Sequence, residues 1–306
     1  MTAITNDLPR DRALAEPRDL DLRGKSGSRA IKNSVATAVM WAAFAIAVIP
    51  LVWILVTVAV KGGHLILDST WWTNSQQGVT ARREGGGAVH AIQGTLIQGL
   101  VTALISVPIG VLTAVYLVEY GRGRFARIVS FMVDILTGVP SIVAGLFIYA
   151  VFITTFGFTR AGIFVCLSLT LLMIPVVVRS TEEMLKLVPN ELREAAYALG
   201  VPKWKTIFSV VLPTAFSGII TGVLLGLARV MGETAPLLIL GPYTKAIATD
   251  LFGGNMATLP TMINQDRDQA VTLPAYDRIW AAALTLILLI LLLNLLGRLA
   301  SRFSKV

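Results

Sequence analysis

"VPNELREAAYALGVPKWKTIFSVVLP", residues 188–213, decides how this chain is read. Its first half is polar and patterned, and apolar runs lie on both sides of the segment. The spacing predicts a short helix over 190–200, with Asn190 in position to cap it and Gly200 in position to end it. Leu192, Ala195, Ala196 and Leu199 recur at helical spacing and form one apolar stripe, while Glu191, Arg193 and Glu194 point elsewhere. Such a helix is roughly 15 Å long, too short to span a bilayer and too polar to enter one. Trp204 between Lys203 and Lys205 reads as an interfacial anchor where the chain re-enters a membrane. The stretch is therefore an elbow on a membrane face.

The rest of the chain supplies that membrane. Of its 306 residues, 55% are hydrophobic and 14% charged, against about 25% charged in ordinary soluble domains. Runs without charge or histidine cover 33–60, 91–118, 135–159, 161–178, 206–228 and 279–297. A helix needs roughly 20 apolar residues to cross the hydrocarbon core. Six transmembrane helices are expected, near 35–60, 92–118, 128–156, 161–180, 213–240 and 279–298. The runs do not alternate at period two, which excludes a barrel reading. The short link between the third and fourth spans makes them antiparallel neighbours. The link from the fifth to the sixth, 241–277, is long enough to hold a short helix or to dip toward a pore.

Lys and Arg set the orientation. With the N-terminus inside, inner segments carry 18 basic residues and outer segments 6, which predicts both termini in the cytoplasm of a multi-pass protein. This bias accounts for the net charge of +8 without nucleic acid. Residues 1–34 are mixed-charge with no periodic apolar face, and a disordered cytoplasmic tail is expected there. The first apolar run is too long and begins too late for a cleavable signal peptide. Residues 35–306 form the transmembrane domain, with the elbow at about 186–213. One cysteine, Cys166, excludes an internal disulfide, and His64 and His90 have no cluster of ligands near them in sequence, so no metal site is expected.

The elbow carries a motif. Glu194-Ala195-Ala196 is followed by three residues, then Gly200, nine residues, Val210, one residue, and Leu212-Pro213. This spacing resembles the EAA loop of ABC-importer permeases, with Val210 in place of the usual Ile. "LTGVPSIVAGL" (136–146), "PVVVRSTEEML" (175–185) and "ARVMGETAPLL" (228–238) extend the likeness. Over residues 90 to 300 the chain resembles the PstA-type permease subunits of bacterial phosphate importers. The resemblance implies an all-α integral membrane protein, a type I ABC importer permease fold with six transmembrane helices and a cytoplasmic coupling helix, in the bacterial plasma membrane. Glu194, Ala195, Ala196, Gly200, Leu212 and Pro213 would couple it to an ATPase. Small alanines permit close docking, Gly200 turns the chain, and Pro213 starts the next span at a fixed angle. The implied partners are a PstC-type permease, two copies of a PstB-type ATPase and a PstS-type phosphate-binding protein, with inorganic phosphate as substrate. No cofactor is implied for this chain, since ATP is used by the partner.

Arg229 and Glu233 then become meaningful. They are one turn apart inside an apolar stretch, where their side chains can meet. Counted from Pro213, the pair falls in the outer half of the bilayer. An isolated charge in a membrane costs about 2.5–3.5 kcal/mol or more, so a substrate path is the default reading. A guanidinium offers phosphate a planar fork, and Glu233 can hold the arginine and moderate its grip so that the anion is released. The competing reading is a structural ion pair. Arg179 is a second path candidate, or equally a cytoplasmic flank of the fourth span. Asp134 is expected to pair with Arg127 or Arg124. Gly138, Pro140 and Gly145 suggest close packing or a hinge.

No phosphate-binding loop is present: "GKS" at 24–26 has Asp19 where the first glycine belongs. The chain is therefore expected to be a transport subunit and not an enzyme. An ABC permease for another oxyanion is the nearest alternative. An ion-coupled secondary transporter or a signalling subunit is further away, because neither needs the EAA spacing.

Overall fold

The computed structural model describes residues 27–268 and 272–303, and every regular element among them is helical. The order is α1 (Gly27–Ile66), α2 (Ser69–Thr73), α3 (Val89–Val115), α4 (Gly123–Gly138), α5 (Ser141–Ile148), α6 (Gly162–Lys186), α7 (Asn190–Ala198), α8 (Lys203–Thr206), α9 (Leu212–Met231), α10 (Ala235–Leu240), α11 (Leu259–Asp268) and α12 (Leu273–Phe303). Five helical stretches are long and apolar enough to span a membrane, and the bent pair α4–α5 makes a sixth.

The chain forms two units, residues up to Leu55 and residues from Val56 onward. The described part of the first is residues 27–55 of helix α1. Val39, Trp41, Phe44 and Trp53 are exposed on it, and such an apolar surface suits lipid. Residues 27–34 belong to this helix. The remainder of the tail expected over 1–34 lies outside the described residues.

Two expected spans are broken. The segment 128–156 is not one helix: α4 and α5 meet at a 106° bend. Proline forces the bend, because the residue before it is driven out of helical geometry, and Val139 ahead of Pro140 sits at φ −70°, ψ 126°. The segment 213–240 stops at Met231 and restarts at Ala235. Its start also differs from expectation. Helix begins at Lys203, passes through a π-helical turn at Ile207–Val211, and runs on into α9. Leu212-Pro213 therefore lies inside the span and does not open it. Proline breaks a regular helical ladder, and the wider π turn just ahead of it is where that irregularity is taken up.

Within the second unit α6 is the most buried span. Near its start it packs with α3, α5, α9 and α10 around Phe164, Val165, Leu169, Met173, Val230 and Leu240. Toward the elbow it packs around Val178, Leu185, Ile207, Val211 and Ile219. A third cluster, Trp71, Ala91, Leu259, Met262 and Ala281, ties α2 and α11 to α3 and α12. The long 241–277 segment thus holds a helix, α11. It lies against α3 because residue 94 is glycine: a Cβ there would stand 1.8 Å from the carbonyl oxygen of Ala257.

Candidate permeation site and coupling elbow

The elbow helix forms as the spacing predicts, but its start and its outward face differ from expectation. Asn190 is the first residue of α7 and makes no capping bond. Its Oδ1 accepts from Arg193 Nη1 at 3.3 Å instead. The end is as expected. Gly200 sits at φ +76°, the left-handed conformation that glycine adopts without strain. Its N–H donates to Tyr197 O at 2.9 Å, and the N–H of Val201 donates to Ala196 O at 3.1 Å, closing the helix as a Schellman turn. Of the apolar stripe only Ala196 is buried. Ala195 is exposed, as are Leu192 and Leu199, the latter at 84%. Glu194 is also exposed. The face carrying the motif is open in the isolated chain.

Arg193 does not point away to solvent. It is largely buried and reaches the C-terminal end of α3, where a π-helical turn covers Tyr116–Tyr120. Its Nη2 donates to Glu119 Oε1 at 2.9 Å and its Nε to the same oxygen at 3.1 Å. Further donations go to Val188 O at 2.7 Å and Leu185 O at 3.0 Å. From the other end of the elbow, Lys203 Nζ donates to the Glu119 carbonyl oxygen and stands 4.6 Å from the centre of the Tyr120 ring. The sequence reading missed this cluster. Its only hint was Glu119 closing the uncharged run 91–118.

Arg229 and Glu233 meet, but loosely. Arg229 Nε lies 3.8 Å from Glu233 Oε1, an ion pair without a hydrogen bond, and the arginine side chain is 54% exposed. Glu233 sits in the break between α9 and α10, so the pair marks a helix end and not mid-helix. Its depth follows from the antiparallel packing of α9 on α6: Gly218 faces Met184, Gly222 faces Ser180, and Gly226 faces Val176 and Met173. That register puts Arg229 level with about Met173, near the midpoint of the 25-residue α6, and Glu233 about one turn further toward the start of α6.

Arg179 is held much more firmly. Its Nη1 donates to Glu182 Oε2 at 2.6 Å, and its Nη2 donates to Ser130 Oγ at 3.0 Å, Ser130 O at 3.1 Å and Asp134 Oδ1. Lys186 adds a 2.7 Å contact to Glu182. Asp134 thus pairs with Arg179, not with Arg127 or Arg124, because α4 packs against α6. By the same register Arg179 lies about 9 Å from Arg229 along the bundle. Among the described residues no hydrogen bond or ion pair joins the two clusters. Gly145 packs on Pro236, so the halves that follow the two helix breaks, α5 and α10, touch.

The segments around the start of α3 carry a separate polar network. Gln76 Nε2 donates to Asp266 Oδ2 at 2.8 Å, Tyr243 OH donates to Gln76 Oε1 at 3.2 Å, and His90 Nε2 lies 3.4 Å from Tyr243 OH. Arg278 is almost fully buried beside Asp266 at 3.8 Å and donates to Arg83 O at 3.0 Å. Burial pushes the Asp266 carboxyl up from its usual range, although Gln76 and Arg278 oppose the shift. Burial raises the Tyr243 phenol as well. Among the described residues no three His, Cys, Asp or Glu side chains are grouped to hold a metal ion.

A bundle of spans with a short helical elbow before the penultimate span and ionisable residues among the spans defines a type I ABC-importer permease. Solved structures share the fold. A bacterial ABC transporter involved in the import of the acidic polysaccharide alginate matches with a TM-score of 0.59 at 15% identity, over 89% of this chain and 98% of that one. The inward-facing MetNI methionine ABC transporter matches with a TM-score of 0.55 at 21% identity, over 70% and 92%. Residues 106–304 match the family of binding-protein-dependent transport system inner membrane components, and the chain belongs to that family. It is similar to the phosphate transport system permease protein PstA of Mycobacterium leprae, 53% identical over 279 residues, 90% of each chain. It is also similar to the PstA of Yersinia pestis, 38% identical over 298 residues, 96% of this chain and 97% of that one.

Proposed function

We propose that this chain is a transmembrane permease subunit of an ATP-driven phosphate import system in a bacterial plasma membrane. The observation that carries the reading is the 53% identity, over 90% of both chains, to a protein named for phosphate transport. The open face of α7 supports a cytoplasmic ATPase as the element that covers it, since Leu192 and Leu199 are exposed beside Glu194 and Ala195. In this reading two PstB-type ATPases hydrolyse the ATP, a PstC-type permease completes the path, and a PstS-type binding protein delivers phosphate. Both termini are cytoplasmic, in keeping with the basic-residue bias.

Arg229 is the anion contact. Its guanidinium is the more exposed and the less engaged of the two intramembrane arginines, so it has donors free for a phosphate oxygen pair. Glu233 keeps it oriented without occupying it. Arg179 lies nearer the inner end with its donors in use, and it serves as a second contact only where Asp134 yields. Labelled phosphate uptake in cells carrying Arg229→Gln, with sulfate and molybdate uptake as controls, tests the reading. Loss of a charge-assisted contact predicts a fall of roughly 10- to 100-fold in phosphate uptake alone. A loss confined to sulfate or molybdate would instead favour an importer of that oxyanion.

A further inference from the structure

The EAA residues mark where a partner docks, but they leave open how a push on the elbow reaches the spans. We propose that Glu119 and Arg193 form the strut that fastens the coupling elbow to α3, so that the elbow and the inner end of α3 move as one body. Glu119 is thereby a positioning residue for transport. The inference rests on the importer reading above and adds to it the link between motor and path.

Three features carry it. First, the pair is buried where burial is costly: the Arg193 side chain is 12% exposed and that of Glu119 6%. A buried ion pair is poor evidence for stability and better evidence for a fixed geometry. Secondly, the guanidinium is fully engaged. Nε, Nη1 and Nη2 all donate, to Glu119, Val188, Leu185 and Asn190, so it has no freedom to swing. Thirdly, Glu119 is gripped from both ends of the elbow, by Arg193 of α7 at its carboxylate and by Lys203 of α8 at its carbonyl oxygen. The gripped Glu119 belongs to the π-helical turn at Tyr116–Tyr120, which continues directly from the regular helix α3.

At its other end α3 is tied as well. Thr95 Oγ1 accepts from the N–H of Leu259 at 2.9 Å, and His90 meets Tyr243. One helix, continuous through Pro108, therefore joins the elbow to the 241–268 segment. A displacement of α7 is transmitted along α3 as well as through α8 into α9, whose broken end holds Arg229.

The experiment uses the assembled complex with its ATPase in lipid. Cys166 is replaced, and spin labels are placed at the exposed positions Glu191 on α7 and Leu112 on α3. With the strut intact, the label distance stays the same between nucleotide-free and nucleotide-trapped complexes. With Glu119→Gln it splits or shifts on trapping, while phosphate moved per ATP hydrolysed falls about tenfold, within the range typical of coupling between sites. Basal ATP hydrolysis persists. A distance that already changes in the unsubstituted chain overturns the strut, as does Glu119→Gln with unchanged transport per ATP. An unsubstituted complex that moves no phosphate on hydrolysing ATP overturns the importer reading itself, whatever the label distance does. If Glu119→Gln does not assemble, the paired E119M/R193M, which leaves no lone buried charge, is read by the same two measurements.

Discussion

The elbow end and the opposite, loop-rich end of the second unit are both built from polar residues near span ends, yet they solve opposite problems. The loop-rich end closes on itself. Gln76 links Tyr243 to Asp266, Arg278 lies beside Asp266 at 3.8 Å, and Trp71 Nε1 donates to Thr285 at 2.9 Å inside the same region. The elbow end is internally braced through Arg193 but leaves Leu192, Tyr197 and Leu199 uncovered. One end is finished within the chain. The other leaves an apolar face open. Substitutions at the first should therefore report on stability, and substitutions at the second on coupling.

Arg278→Met should give the largest stability loss. It strands Asp266 in a buried site and removes donors from three carbonyls of the 80–83 turn. Breaking a buried pair from one side costs about 3–5 kcal/mol, readable as a drop in thermal midpoint of the purified protein. A midpoint like that of the unsubstituted chain would erase the contrast between the ends. Gly200→Ala comes next. It places a side chain at φ +76°, for a cost of about 1–2 kcal/mol, and it should lower ATP-coupled transport more than its stability cost alone explains. Leu199→Ser should leave stability within about 0.5 kcal/mol, as surface changes do, while weakening pull-down of the ATPase. If it lowered the thermal midpoint instead, α7 would be packed on its own chain.

The smallest effect concerns pH. Because the folded-state pKa of Asp266 is raised by burial, the folded form holds its proton more tightly than the unfolded form. The resulting stabilisation is complete below the unfolded carboxylate value of about 3.9 and is lost as pH rises through the folded value. Asp266→Asn should flatten that part of the stability profile in thermal melts. An unchanged slope would show that another group sets it.

Much of the fold was legible because lipid is a demanding solvent. It leaves long uncharged runs in the sequence, and the runs at 91–118, 161–178 and 279–297 became spans. The end of the elbow was legible for a local reason: only glycine adopts the Gly200 conformation cheaply. The bend after Val139 was less so, since the Gly-Pro punctuation suggested a hinge without giving its angle. The expected start of a span at Leu212-Pro213 failed because a π turn absorbed the proline.

The amino-acid sequence by itself determined the number of apolar spans, the elbow and its spacing, and which ionisable residues lie among apolar neighbours. Only the tertiary structure decided which of those residues meet. Arg193 finds Glu119 across 74 positions and Arg179 finds Asp134 across 45. Such pairings depend on how each helix is rotated about its axis and where it bends. Those two quantities are set by side-chain packing between distant segments, which no local pattern of residues encodes.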